Sequence, residues 1–219
     1  MRPRRFDLIA FDWDGTLFDS TATIARCIQA AVRDVGGTVP TVENASFVIG
    51  MSLMEALAYA APDVPPSRLP KLADRYRHHY FAIQHEITLF EGIVPLLTQL
   101  KMWGHRLAVA TGKSRQGLDE ALSTDELQAL FDSSRTSDQT ASKPNPLMLQ
   151  ELMAEFDVLP QRTLMIGDTT HDLHMALNAG CSSVAVSYGA HDQQALLDMN
   201  PLFMAHSVVQ LGDWLKVNA

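Results

Sequence analysis

Four short apolar runs, each halted by a small or polar residue and separated by helical text, constrain this chain more than any other feature. Phe6 to Phe11 stops at Asp12, and Arg106 to Ala110 runs into Thr111-Gly112. Thr163 to Ile166 ends at Gly167-Asp168, and Ser183 to Val186 leads into Ser187-Tyr188-Gly189. Phe203-Met204-Ala205 is a weaker fifth run. Runs of this length and apolarity suit strands buried on both faces. Helical periodicity fills the gaps at Ile93 to Trp103, Ser114 to Leu122, Pro146 to Phe156 and Thr170 to Ala179, the last stopped by Gly180. The alternation predicts an α/β fold with a parallel sheet covered by helices. Ligands of such sheets bind at the carboxyl ends of the strands, where these small and polar residues fall.

One stretch breaks the rhythm. Between Phe18 and Phe90 no strand is predicted, and three helical patterns stand instead: Ser20 to Val35, Ser52 to Ala60 and Pro66 to Glu86. An all-helical insert therefore interrupts the core after the first strand. The expected division is a catalytic core of residues 1–17 and 91–219 and a helical unit of residues 18–90. The length of 219 residues suits a medium core with one small insert.

Composition removes several classes of function. With 47% hydrophobic and 19% charged residues the chain is no disordered polymer. A net charge of −8 argues against wrapping nucleic acid or docking on anionic membrane. No run approaches the eighteen apolar residues of a membrane span. Asp7, Asp12 and Asp14 cut the apolar run behind the basic leader Met1-Arg2-Pro3-Arg4-Arg5 too short for a signal peptide. Cys27 and Cys181 lack disulfide or metal-ligand patterning and read as reduced thiols. A cytoplasmic location is expected; the oligomeric state is not readable.

The chemistry concentrates where strands end. Asp12 and Asp14, two apart on extended chain, project together beyond the first strand, and Gly15 permits a turn. Paired carboxylates call for a cation, and hard oxygen donors suit Mg²⁺. Asp168 ends the third strand as a metal ligand or a helix N-cap; Asp172, one helical turn on, stands near it. The hydroxyl of Thr111, the flexible Gly112 and a helix start suit a phosphate oxygen. Lys143, before Pro144, would screen the clustered negative charge.

Asp12-x-Asp14-Gly15-Thr16-Leu17-Phe18-Asp19-Ser20, Thr111-Gly112, Lys143-Pro144 and Gly167-Asp168-x-x-x-Asp172 together resemble the four ordered motifs of the haloacid dehalogenase superfamily, closest to its phosphoglycolate phosphatase-like branch. The resemblance runs from near the start of the chain to about Gly180. It implies a Rossmann-like core and a small helical cap domain in the insert. It also implies a Mg²⁺-dependent phosphatase acting on a small phosphorylated metabolite through an aspartyl-phosphate. Asp12 would be the nucleophile and Asp14 the acid and base. Thr111, Gly112 and Lys143 would hold the phosphoryl group, with Lys143 orienting Asp12. The metal would sit on Asp12, the Asp14 backbone carbonyl and Asp168. Asp14 argues against dehalogenation, because the family's dehalogenases lack that second carboxylate. A phosphosugar mutase is the enzymatic rival, and a phospho-ligand sensor without turnover the non-enzymatic one.

Three smaller features complete the reading. Leu69, Leu72, Tyr76, Tyr80 and Ile83 form a packing face of one insert helix, and Arg68, Lys71, Arg75 and His78 a solvated basic stripe. His171 falls close to Asp168, whereas His174 is a surface or core residue. Met51 and Met54 are candidates for the wall of a substrate pocket.

Overall fold

The computed structural model describes residues 4–122 and 125–219, so Met1 to Pro3 of the basic leader lie outside the described residues. In chain order the elements begin with β1 (Leu8–Phe11), α1 (Thr21–Asp34), α2 (Val42–Phe47), α3 (Leu53–Ala60) and α4 (Leu69–Ile83). Then follow α5 (Ile93–Met102), β2 (Arg106–Thr111), α6 (Arg115–Ala121), α7 (Asp125–Gln128), β3 (Ser133–Thr136) and α8 (Leu147–Phe156). The chain closes with β4 (Thr163–Gly167), α9 (Thr170–Asn178), β5 (Ser182–Val186), α10 (Gln193–Leu197), β6 (Met204–Ala205) and α11 (Val208–Asn218).

The six strands form one sheet in the order β3-β2-β1-β4-β5-β6, and every pairing is parallel. Alternate residues of β1 serve opposite faces, as the strand period of two requires. Ile9 and Phe11 join Val109, Ile166, Leu97 and Leu211 in one buried cluster. Leu8 and Ala10 join Met165, Leu149 and Met175 in another. The sheet is thus covered on both sides, and β1, the most central in order beside β4, delivers its last residues between two neighbouring strands.

Three expectations are corrected. The strand β3, Ser-Ser-Arg-Thr, carries no apolar signal; it is an edge strand paired only with β2, so polar side chains are tolerated. The insert holds a further helix, α2, capped by the Thr41 side chain on the Asn44 N–H. The helix read from Pro66 to Glu86 is α4 flanked by single 3₁₀ turns at Pro66–Arg68 and Gln84–Glu86.

The helices α1 to α4 share a hydrophobic core of their own, built from Ile28, Val32, Val48, Leu57 and Leu72 among others. The two strands of chain that join them to the sheet lie side by side. Phe18 bridges Leu89, the Asp19 N–H donates to the Thr88 carbonyl at 2.9 Å, and the Phe90 N–H donates to the Leu17 carbonyl at 2.9 Å. Among the described residues no helix is long and apolar enough to cross a membrane.

Candidate active site

The site forms where β1, β2 and β4 end. The Asp12 N–H continues the ladder by donating to the Ile166 carbonyl at 2.9 Å, which sets Asp12 beside the end of β4. Asp168 and Asp172 meet it there: one carboxylate oxygen from each of the three lies within 4.8 Å of the others, all buried. Gly15, at φ +86°, must lack a side chain, because a Cβ would strike the Asp168 carboxylate and the Thr21 methyl, the latter at 2.7 Å.

Each carboxylate has a different set of partners. Asp168 accepts from the Thr16 hydroxyl at 2.8 Å and from the Ala190 N–H at 2.7 Å. Asp172 takes part in a capping box with Thr169, whose N–H and hydroxyl donate to Oδ2 at 3.1 and 2.7 Å. Its Oδ1 accepts from Lys143 Nζ at 2.6 Å. Asp12 Oδ1 also accepts from Lys143, whereas Asp12 Oδ2 is buried with no hydrogen-bond partner among the described residues. The N-cap of α9 is therefore Thr169 rather than Asp168, which leaves Asp168 facing the other acids.

Among the described residues Lys143 is the single ammonium paired with this trio, and it is itself buried. Burial works against its charge, but Asp12 and Asp172 outweigh it and hold the ammonium above its ordinary value. One cation does not neutralise three buried acids. Burial pushes the Asp12 carboxyl up to about 7 against the pull of Lys143, and Asp172 adds to the rise. Burial, then Asp12 and Asp172, also drives Asp168 well above the carboxylate range. A buried carboxylate cluster with an unpartnered oxygen is a place where a divalent cation would be strongly stabilised.

Asp14 faces elsewhere. Its Oδ1 accepts from the Ser20 hydroxyl at 2.8 Å, and its Oδ2 lies 3.0 Å from Lys113 Nζ. Lys113 in turn donates to the Tyr80 hydroxyl of α4 at 3.0 Å and sits under that ring, 4.8 Å from its centroid. Thr111 is buried and its hydroxyl accepts from the Lys113 N–H at 3.2 Å. Gly112 lies against the insert, with an ideal Cβ there only 2.5 Å from the Met51 carbonyl oxygen. A cavity of about 340 Å³ opens between these residues and the insert helices. Asp12, Asp14, Thr111 and Gly112 line it, and so do Met51 and Met54.

Several participants were not read from the sequence. Lys113, Tyr76 and Tyr80 line the cavity, so two members of the expected packing face of α4 serve the site. The stripe behaves as expected: Arg75 pairs with Asp34 at 2.6 Å, and Lys71 and His78 are exposed. His171 sits beside the acids but points to the insert. Its Nε2 and that of His191 both lie 2.9 Å from the Phe47 carbonyl oxygen. Burial lowers both imidazoles, His191 to about 4, so both remain neutral near pH 7 and each can donate Nε2–H. His174 is exposed.

Comparison with known proteins agrees with this geometry. Residues 9–186 match the family model for haloacid dehalogenase-like hydrolases. A phosphoglycolate phosphatase of Aliivibrio fischeri is 34% identical over 203 residues, covering 89% of each chain. One from Vibrio vulnificus is 29% identical over the full length of both. The solved structure of a hydrolase from Pseudomonas syringae shares the fold with a TM-score of 0.86 at 22% identity, covering 98% of this chain and 99% of the other. The chain belongs to the haloacid dehalogenase-like hydrolases.

Proposed function

We propose that the protein is a Mg²⁺-dependent phosphatase that hydrolyses a small phosphate monoester through a phosphorylated Asp12. The observation that carries this reading is the Asp12 carboxylate, buried with one oxygen on Lys143 and the other unpartnered, lining a cavity of about 340 Å³. A carboxylate so held is oriented for attack and costs little further ordering.

In the first half-reaction an Asp12 oxygen attacks phosphorus and the ester P–O bond breaks. Asp14 gives its proton to the departing alcohol oxygen. In the second, water attacks phosphorus, Asp14 takes a proton from it, and the P–O bond to Asp12 breaks to release phosphate. Lys143 keeps Asp12 oriented, and Thr111 with the Gly112 backbone contacts the phosphoryl oxygens. The divalent ion would be held by Asp12, Asp168 and the Asp14 backbone carbonyl. When bound it neutralises the acids and the phosphate, so that one anion can approach another. Asp172, with both oxygens engaged by Lys143 and Thr169, anchors Lys143.

The insert is read as a cap, residues 18–90, that closes over residues 1–17 and 91–219. The paired connections at Phe18–Asp19 and Thr88–Phe90 form its hinge, and Gly92, at φ +90°, stands at the start of α5 beside them. Closure keeps bulk water from the aspartyl-phosphate. The names of the relatives make phosphoglycolate the first ester to assay. Phosphate release from p-nitrophenyl phosphate and phosphoglycolate, with Mg²⁺ and after chelation, tests the reading. Failure to release phosphate from any monoester with the metal present would overturn it.

A further inference from the structure

The alcohol half of the substrate is a separate question from the chemistry at Asp12, and the cavity answers it. The wall beyond the nucleophile comes mainly from the insert. Ile24 and Ile28 of α1, Val48, Ile49, Tyr76 of α4 and Met54 of α3 face the space. Ile28, Val48 and Ile49 are buried, and Tyr76 stacks on Tyr80 with ring centroids 5.8 Å apart.

The cations lining the cavity, Lys113 and Arg77, are already engaged by side chains of the fold. Lys113 is spent on Asp14 at 3.0 Å and on the Tyr80 hydroxyl at 3.0 Å. Arg77, at the rim, pairs with Asp74 at 3.1 Å. Asp138 lines the cavity as well and accepts from the Arg115 N–H at 2.9 Å and the Thr136 hydroxyl at 2.7 Å. A substrate carboxylate, or a second phosphate, would enter this space without a dedicated cation, and an anion left so in an apolar wall is costly. An uncharged ring or branched chain would instead cover Met54 and Phe81, which line the cavity and are 42% and 43% exposed, and stack near Tyr76.

Building on the phosphatase reading, the geometry points to a monophosphate ester of an uncharged alcohol with an aromatic or branched aliphatic body as the substrate class, in preference to phosphoglycolate. The residues that set this preference are Met54, Phe81 and Tyr76. The volume of about 340 Å³ suits a phosphate with one ring system and excludes a polymer.

The test separates binding from turnover. Titration calorimetry of the full chain with Mg²⁺ compares benzylphosphonate, an uncleavable analogue of phenyl phosphate, with 3-phosphonopropionate, the matching analogue of phosphoglycolate. Benzylphosphonate should bind at least tenfold more tightly. Met54→Arg, at a partly exposed site where the fold tolerates a charge, should shrink that ratio at least threefold by supplying the missing cation. Equal affinities, tighter binding of 3-phosphonopropionate, or binding of neither would overturn the inference. Phosphate release is then measured from phenyl phosphate and phosphoglycolate. Release from phosphoglycolate with the higher kcat/KM would refute the inference and leave the phosphatase reading standing. Tight benzylphosphonate binding with no release from either ester would refute the phosphatase reading alone.

Discussion

Gly112 at the end of β2 lacks a side chain where the Gly50 carbonyl of the insert comes down on it. A Cβ there would overlap that oxygen and stand 2.5 Å from the Met51 carbonyl oxygen. Backbone cannot move aside as a flexible side chain can, so Gly112→Ala should hold the insert off the sheet. Misplacement of about 1 Å at a reacting centre costs on the order of 100-fold. We expect kcat/KM to fall by about that factor, with the hydrophobic clusters intact and the melting temperature nearly unchanged. Steady-state kinetics beside thermal melts check this; wild-type kcat/KM would remove Gly112 from the account.

Lys113 ties Asp14 to Tyr80 and so couples the insert to the proposed acid–base residue. Loss of a positioned acid–base group costs about 10²–10⁴-fold, and Lys113→Met should approach the lower end of that range. Tyr80→Phe keeps the ring over Lys113 and removes only one acceptor, so its loss should stay under about tenfold. Rates for both variants on one ester decide the order. A greater loss for Tyr80→Phe would contradict it.

The carboxylate trio predicts stabilisation by metal as well as activation. An ion that binds only the folded chain adds about 2.7 kcal/mol at one hundred times its dissociation constant. Mg²⁺ should therefore raise the melting temperature of chelator-treated protein, and Asp168→Asn should abolish most of the rise. Chelation should stop phosphate release and Mg²⁺ should restore it. A melting curve indifferent to Mg²⁺ would count against the metal site.

His105 gives a pH effect remote from the site. It is buried at the opposite end of the sheet, with Nδ1 2.8 Å from the Phe6 carbonyl oxygen. Burial, with Arg4 adding to it, lowers its pKa below 6.5 against the raising effects of the Phe6 bond and Asp7. The unfolded chain therefore takes up the proton first. The stability His105 contributes is fully present above pH 6.5 and is lost as the pH falls from there through the folded value. Melts at pH 7.5 and 5.5 should differ less for His105→Gln than for the wild type. An equal difference would show that His105 does not titrate in this way.

Much of the architecture was legible because its signals are local. Leu8 to Phe11 is apolar on both faces and ends at Asp12, and Gly180 takes the left-handed conformation expected after α9. The positions of Asp12, Thr111 and Asp168 followed from strand ends alone. Burial of Lys143 did not, because its partners Asp12 and Asp172 lie 131 and 29 residues away along the chain. A loop lysine with no local pattern reads as solvated. The roles of Tyr76 and Tyr80 were hidden for another reason: a residue facing a cavity and one facing a core share the same helical period. The turn of Asp14 toward Lys113 and Ser20 depends on contacts that alternation along a strand does not encode.

The central claim is that phosphorus passes through Asp12. Acid quenching during turnover of a rapidly cleaved ester with Mg²⁺, followed by peptide mass spectrometry, tests it most directly. The account predicts a phosphate mass on Asp12 that disappears when substrate is exhausted and never forms in Asp12→Asn, whose turnover falls by several orders of magnitude. A phosphate found on another residue, or Asp12→Asn turning over at a near-normal rate, would contradict it.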